Sequence, residues 1–315
     1  DNIEALSPKP DEFVENKNSR HPKGLWVLFG TEMWERFGYY LILGIFVLYV
    51  IEPTGMKGGL GLPDKTADDI FGTYIALTYL TPFIGGFLAD RVLGYIKSIY
   101  LGGFLMAAGY IGMGVFKDLP LFYTSLALII IGNGFFKPTI STLLGNLYSE
   151  EPYKANKDSG YNIFYMGINS GALVAPLVCG GLGDTGSAAD FKYGFLSAGI
   201  GMVIGTIVML MLQHKYLVTP TGEPIGMKPS YYKKERANAG IEEEPQVGLT
   251  KIERDRIFAI FIITSFVIAF CQGDKADILK QISYLKFRPL HILQVFHPYR
   301  RKELYQLVHC HLSYF

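Results

Sequence analysis

The sequence has 315 residues, of which 50% are hydrophobic, 14% aromatic and only 18% charged. This charge content is lower than that of a typical soluble domain, which indicates a membrane setting. The formal net charge of +1 argues against a general binder of nucleic acid or acidic surfaces, so we expect no nucleic-acid partner.

Six apolar segments follow a polar N-terminal tail, residues 1–24, which has no apolar signal-peptide core. Each segment reaches the roughly 20 residues that a helix needs to cross a bilayer. Their predicted bounds are 25–51, 67–91, 95–116, 120–147, 160–183 and 191–218. Because the connections are short, we expect consecutive helices to be antiparallel neighbours. The sequence therefore predicts an all-α integral membrane protein with a six-helix bundle over residues 25–218.

The chain becomes polar after the sixth span. Residues 219–256 contain proline, glycine and many charges, which predicts a cytoplasmic linker with short helical pieces. Residues 257–271 are apolar but too few to cross a bilayer, so they predict a partial seventh helix. Residues 272–315 contain no apolar run of membrane length, and we expect them to form an aberrant polar tail.

Cysteine spacing gives no sign of a disulfide framework or a metal site. Cys179, Cys271 and Cys310 lie far apart without CxxC spacing, which predicts isolated thiols. His309 and His311 flank Cys310, but adjacent side chains do not easily converge on one tetrahedral ion. We therefore expect no bound metal.

Lysine and arginine are more frequent in the loops on one side of the predicted membrane. Lys17, Arg20 and Lys23 precede the first span, and similar residues lie between spans two and three and between spans four and five. Such residues accumulate on the cytoplasmic side. The N-terminus is therefore predicted to be cytoplasmic, in a protein that crosses the plasma or inner membrane several times.

Three charged residues, Glu32, Glu35 and Arg36, lie inside the predicted first span. Arg36 is roughly 16 Å from the cytoplasmic start of that helix, close to the bilayer midplane. The acids and the arginine follow one helical face, so they can form ion pairs. Charges at this depth are costly, and they mark substrate or proton paths more often than purely structural ion pairs.

Polar residues of three other spans are predicted at a similar depth. Lys137 lies roughly 15 Å from the cytoplasmic side, Asn169 about 13 Å and Tyr79 about 18 Å. Arg36 and Lys137 repel each other, but both suit a carboxylate or another anion held between them. An anion that competes for Arg36 favours protonation of the neighbouring acids, so proton and anion would bind cooperatively.

Three segments resemble signatures of a known family. Residues 32–40, EMWERFGYY, resemble the ExxERFxYY signature of the proton-dependent oligopeptide transporters, a branch of the major facilitator superfamily. Residues 164–172, FYMGINSGA, resemble the second signature of that family, and residues 85–94, GGFLADRVLG, are similar to the superfamily motif between helices two and three. On these segments the chain is identified as a member of that family over roughly residues 21–270.

The resemblance implies two six-helix bundles around a central site, alternating access, and uptake of di- and tripeptides driven by the proton gradient. This chain would hold the N-terminal bundle of the major facilitator fold and a partial seventh helix. The proton-coupling residues would be Glu32, Glu35 and Arg36. The substrate-binding residues would be Arg36, Tyr39, Tyr40, Tyr79, Lys137 and Asn169. Asp90 and Arg91 would form a cytoplasmic ion-pair latch that biases the conformations.

The chain departs from the family pattern at two places. Leu43 stands where many relatives have a second basic residue, which predicts a weaker anion clamp. After residue 271 the chain differs from the acidic seventh helix and five further helices of the relatives, so we expect the C-terminal bundle to be missing. Small peptides, protons and the lipid bilayer are the expected partners, with protons as coupling ion and no other cofactor.

Other functions stay open. The two cations would also suit another small anionic solute, such as nitrate, and the chain could be an inert truncated bundle. A membrane-embedded enzyme is a further alternative, but the sequence has no HExxH, nucleophile elbow or P-loop motif. We therefore predict that the protein is not an enzyme.

Overall fold

The computed structural model describes residues 21–55, 58–182, 190–228 and 230–231. The predicted partial helix at 257–271 and the polar tail at 272–315 lie outside the described residues, as does the N-terminal tail up to residue 20. Cys271 and Cys310 lie outside them too. Cys179 is described, and it is a half-buried free thiol.

Six described helices are long and apolar enough to cross a membrane. They are α1 (Gly24–Ile51), α2 (Asp64–Leu88), α3 (Tyr95–Val115), α4 (Leu119–Leu147), α5 (Lys157–Leu182) and α6 (Asp190–Tyr216). A π-helical turn, Ala89–Leu93, extends α2, and a 3-10 turn, Lys154–Asn156, precedes α5. Each helix begins and ends close to its predicted bounds, so the predicted six-helix bundle is confirmed.

Helices that are distant in sequence make most of the packing contacts. α1 packs extensively against α5 and α6, α3 packs against α4 and α6, and α2 packs against α4. The prediction that consecutive helices are neighbours is correct for α3 with α4. It is wrong for the other four consecutive pairs, which make few contacts or almost none. The reason is that glycine faces, rather than short loops, determine which helices approach closely.

Glycines of α5 and α6 bring both helices against the charged segment of α1. A methyl group on Gly171 would lie 2.9 Å from the backbone nitrogen of Phe37, and one on Gly201 would lie 2.6 Å from the Trp34 ring. Gly205 approaches the Cβ atom of Trp34 in the same way, at 3.0 Å. Small residues permit this close packing in lipid, where van der Waals contact drives helix association.

An aromatic cluster joins the other end of α1 to three helices. Phe46 stacks on Tyr74 of α2 with ring centroids 5.8 Å apart and lies 6.0 Å from Phe122 of α4. Tyr49 meets Phe195 of α6 edge-on at 4.9 Å. Aromatic pairs of this kind contribute about 0.5–1.5 kcal/mol each beyond the area they bury. The cluster therefore anchors the C-terminal half of α1 to α2, α4 and α6.

The first residues after α6 pack back against the bundle, and we call residues 217–228 the strap. Val218 and Pro224 form an antiparallel bridge, and Ile225 is buried. The backbone N–H of Ile96, at the start of α3, donates a hydrogen bond of 3.1 Å to the carbonyl of Gly226. The predicted linker, 219–256, therefore begins as a folded turn that belongs to the bundle.

Candidate functional site

The three charged residues of α1 form one buried cluster, which we call the α1 triad. The Nε atom of Arg36 lies 2.9 Å from Oε1 of Glu32 and also contacts Oε2 of Glu35. All three side chains are almost fully buried. The spacing of four between Glu32 and Arg36 places both on one face of the helix, as predicted. Both acids thus share the same atom of the guanidinium group.

The α1 triad has unused hydrogen-bonding capacity. Nη2 of Arg36 and Oε2 of Glu32 are buried and have no hydrogen-bond partner among the described residues. The contacts of the Nε atom are charge contacts without hydrogen-bond alignment. An unpaired buried polar group costs about 1–3 kcal/mol, and more when it is charged. A ligand carboxylate that reached Nη2 would remove that cost, so the arrangement favours an anionic ligand.

Both cations lie over tyrosine rings. The Nζ atom of Lys137, on α4, is 4.9 Å from the centroid of the Tyr79 ring on α2. The Cζ atom of Arg36 is 5.3 Å from the centroid of the Tyr39 ring, and Tyr39 meets Tyr40 edge-on at 5.4 Å. Contacts of a cation with a ring contribute about 0.5–2 kcal/mol. Among the described residues Lys137 forms no ion pair, so its charge has no carboxylate partner there.

Asn133 links the α1 triad to the helix that carries Lys137. Its Nδ2 donates a hydrogen bond of 3.1 Å to Oε1 of Glu35, and the residue is 2% exposed. Asn133 and Lys137 are four positions apart, and therefore one turn apart, on α4. The sequence analysis did not identify Asn133. The signal that could have revealed it is a polar residue one turn before a charged one inside an apolar span.

Asn169 lies on α5, apart from the cluster. Its side chain is exposed and makes no hydrogen bond to the residues that the structure describes. Two residues further along, Gly171 packs against α1 at the level of Arg36, and a methyl group on Gly171 would lie 3.0 Å from the Cβ atom of Arg36. Asn169 therefore lies within one helical turn of the contact between Gly171 and Arg36, and its role in binding stays a prediction.

Asp90 and Arg91 lie on the π-helical turn after α2, and both are exposed. The Cζ atom of Arg91 is 5.3 Å from the centroid of the Phe87 ring. Neither residue takes part in an ion pair within the described part of the chain. Their function as a latch stays a prediction.

The strap lies directly against this turn. Gly94, which ends the turn, has φ +78°, a conformation that favours glycine. Its N–H donates a hydrogen bond of 2.9 Å to the carbonyl of Ala89. A methyl group on Gly94 would lie 2.6 Å from the backbone nitrogen of Lys228. The position of the turn that carries Asp90 therefore depends on residues that follow α6.

The fold and the site define a multi-pass membrane bundle of the kind found in transporters, with two acids and an arginine buried among its helices and a half-buried lysine on α4. Residues 96–229 match the PTR2 family model, described as POT family. The predicted resemblance to this family and the predicted fold class are confirmed.

Curated relatives and a solved structure show the same similarity. The chain is 43% identical over 183 residues to a di-/tripeptide transporter of Lactococcus lactis subsp. lactis (strain IL1403). The matched region covers 58% of this chain and 36% of that protein. The chain is 42% identical over 197 residues to the uncharacterized transporter YclF of Bacillus subtilis (strain 168), with 62% of this chain and 39% of that protein covered.

A crystal structure of a mutant peptide transporter POT in complex with alafosfalin superimposes with a TM-score of 0.59 at 40% sequence identity. The match covers 70% of this chain and 44% of that one. The chain therefore spans less than half the length of each of these three proteins.

Proposed function

We propose that the protein takes part in the proton-coupled uptake of di- and tripeptides by alternating access, and that this chain supplies the bundle that binds the carboxylate end of the peptide. The observation that carries the proposal is the buried Nη2 of Arg36, which has no hydrogen-bond partner among the described residues. Lys137 lies at a similar depth and forms no ion pair with those residues. Every unmodified peptide ends in a carboxylate, whatever its side chains. Two cations can therefore recognise the part that all substrates share.

Protons would be the coupling ion, with no other cofactor. Glu32 and Glu35 share Nε of Arg36, so a peptide carboxylate competes with them for the guanidinium group. An acid that loses this contact is buried without a counter-charge, and it then favours taking up a proton. Because linkage is reciprocal, protonation in turn favours peptide binding. Tyr39, Tyr40, Tyr79 and Asn169 would line the site.

The proposed partners follow from the surface of the bundle. α2 and α5 bury much less of their apolar surface than α1 does, which supports a second helical bundle packed against them to close the pathway.

The six-helix bundle of this chain would lie in the plasma or inner membrane with its N-terminus in the cytoplasm, as the loop lysines and arginines indicate. Asp90 and Arg91 would bias the conformations from the cytoplasmic side. We propose no catalytic activity.

Peptide binding is the first test. The 315-residue chain in lipid nanodiscs is titrated with dialanine and with dialanine amide, which lacks the terminal carboxylate, by isothermal titration calorimetry. We expect saturable binding of dialanine and binding at least about 10-fold weaker for the amide, since a charge-assisted hydrogen bond is worth about 1.5–3 kcal/mol. Absence of dialanine binding, or equal affinity for the amide, would overturn the proposal.

Uptake distinguishes a transporter from an inert bundle. Proteoliposomes that contain the chain are given an acidic exterior and labelled dialanine. Accumulation that a protonophore abolishes supports coupled transport. Binding without accumulation would favour the inert bundle, and accumulation that ignores the pH gradient would contradict proton coupling.

Another small anion, such as nitrate, is a second candidate substrate. The same two cations favour it, since a compact anion can also be held between Arg36 and Lys137. Nitrate and chloride are compared as competitors of bound dialanine at equal ionic strength. Stronger displacement by nitrate, together with nitrate uptake, would favour this candidate over peptides.

A further inference from the structure

Asn133 uses only one end of its amide group in the described structure. Nδ2 donates to Glu35, whereas Oδ1 is buried and accepts no hydrogen bond from the described residues. An asparagine side chain carries donors on its nitrogen and acceptor sites on its oxygen. The end that carries Oδ1 therefore contributes no hydrogen bond that would hold the amide in this orientation.

The backbone around Asn133 is held firmly by its neighbours. A methyl group on Gly132 would lie 2.6 Å from the carbonyl oxygen of Gly102 on α3, and one on Gly134 would lie 2.7 Å from Cβ of Thr81 on α2. α4 is thus fixed between two helices at this level. A half-turn of the amide exchanges an oxygen for a nitrogen of nearly equal size. Such a rotation needs no displacement of a helix.

Several titratable or charged groups surround the carboxyl group of Glu35. They lie on α1, α2, α3 and α4 and interact with it electrostatically: Glu32, Arg36, Tyr40, Tyr74, Tyr110 and Lys137. The hydroxyl group of Tyr110 is buried without a hydrogen-bond partner among the described residues. In this part of the chain Asn133 is the side chain that hydrogen-bonds Oε1 of Glu35.

We propose that Asn133 is a positioning residue that responds to the protonation state of Glu35, donating to the carboxylate and, after a half-turn of its amide, accepting from the carboxyl group. The inference rests on the proposed proton coupling. When a proton arrives, it forms an O–H bond with Oε1 of Glu35 and neutralises the charge, and no other covalent bond changes. The new O–H then donates to Oδ1 of Asn133. Glu35 therefore keeps Asn133 as its hydrogen-bond partner in both protonation states, one turn of α4 from Lys137.

Infrared difference spectroscopy between acidic and neutral pH tests this inference on the full chain in nanodiscs. The carbonyl stretch of protonated Glu35 is identified by its loss in Glu35→Gln. Asn133→Leu keeps the approximate volume but can neither donate nor accept. We expect the Glu35 band to move to higher frequency in Asn133→Leu, because its O–H loses an acceptor. Asn146→Leu, near the end of the same helix, is the matched control and should leave the band in place.

The wild-type chain provides a second measurement, with isotope-labelled asparagine. An asparagine side-chain carbonyl band should change with the same midpoint pH as the Glu35 band, and this change should be absent in Glu35→Gln. An unmoved Glu35 band in Asn133→Leu would overturn the inference. If that variant does not fold, an asparagine band that stays constant across the Glu35 titration overturns it. If no carboxyl band disappears in Glu35→Gln, the inference and the coupling role of Glu35 both fail, whereas dialanine binding decides the substrate separately.

Discussion

A methyl group on Gly102 of α3 would lie 2.6 Å from the carbonyl oxygen of Gly132 on α4, and one on Gly132 would lie 2.6 Å from the carbonyl oxygen of Gly102. The two backbones thus meet face to face, and neither obstacle is a side chain that could rotate away. We expect Gly132→Ala to destabilise the bundle by about 1–3 kcal/mol, the usual cost of overpacking. Thermal unfolding of the purified chain in detergent measures this loss.

Gly30→Ala is the matched control for Gly132→Ala, because a methyl group on Gly30 would meet nothing within 4 Å. Alanine is also the better helix former, so this variant should unfold at the wild-type temperature or slightly above it. Equal losses in the two variants would contradict the packing argument.

Lys137→Ala is expected to weaken dialanine binding about 10- to 100-fold, because a charge-assisted contact to the carboxylate is worth about 1.5–3 kcal/mol. Folding should be nearly unchanged, since the variant removes a half-buried cation that has no ion pair among the described residues. Calorimetry and thermal unfolding check the two parts. Lys97→Ala, at an exposed position of α3, should bind as the wild type does. Wild-type affinity in Lys137→Ala would exclude the anion clamp.

Glu35→Gln keeps the shape of the side chain and removes the group that can gain and lose a proton. We expect gradient-driven accumulation of labelled dialanine to be lost, while counterflow exchange between peptide inside and outside the vesicles continues. Glu150→Gln, at an exposed position after α4, serves as the control. Accumulation with an unchanged pH dependence in Glu35→Gln would exclude this acid from coupling.

Tyr148, directly after α4, is fully buried, and its hydroxyl group is 2.7 Å from Nδ1 of His21. Burial raises the pKa of Tyr148 above its ordinary value near 10, and the neighbouring Tyr153 adds to the rise in pKa. A raised folded-state pKa stabilises the fold fully below about pH 10, and this contribution is lost as the pH rises through the folded-state pKa. Because it removes the hydrogen bond with His21, Tyr148→Phe should reduce stability at neutral pH by about 0.5–1.5 kcal/mol.

The same variant should also lose less stability than the wild type between pH 10 and more alkaline values, because it lacks the group that ionises. Denaturant unfolding at several pH values measures both effects. Tyr123→Phe, at an exposed position of α4, should follow the wild-type profile. Parallel profiles for Tyr148→Phe and the wild type would contradict this prediction.

The lengths of the apolar runs and the spacing of the charged residues predicted the helices and part of the candidate site. Bilayer thickness sets the length of an apolar helix, so apolar runs alone located the six helices to within a turn. The four-residue spacing of Glu32 and Arg36 predicted their ion pair, because it follows from helix geometry without knowledge of any other helix. The depth argument likewise brought Lys137 and Tyr79 to one level, where they are in contact.

Contacts between helices could not be predicted in the same way. Apolar spans look alike in composition, and their neighbours depend on where backbones can approach, as at Gly171 and Gly201. Asn133 illustrates the limit, because its importance arises from Glu35, 98 positions away. The strap was also missed, since a short polar turn with a single bridge has no periodic pattern to detect.

The strap has a mechanical consequence. Because Gly226 accepts a hydrogen bond from Ile96, and Lys228 lies against Gly94, the residues that leave α6 are attached to the entrance of α3. A force applied to the chain beyond residue 228 would therefore act first on the turn between α2 and α3, and only then on α6.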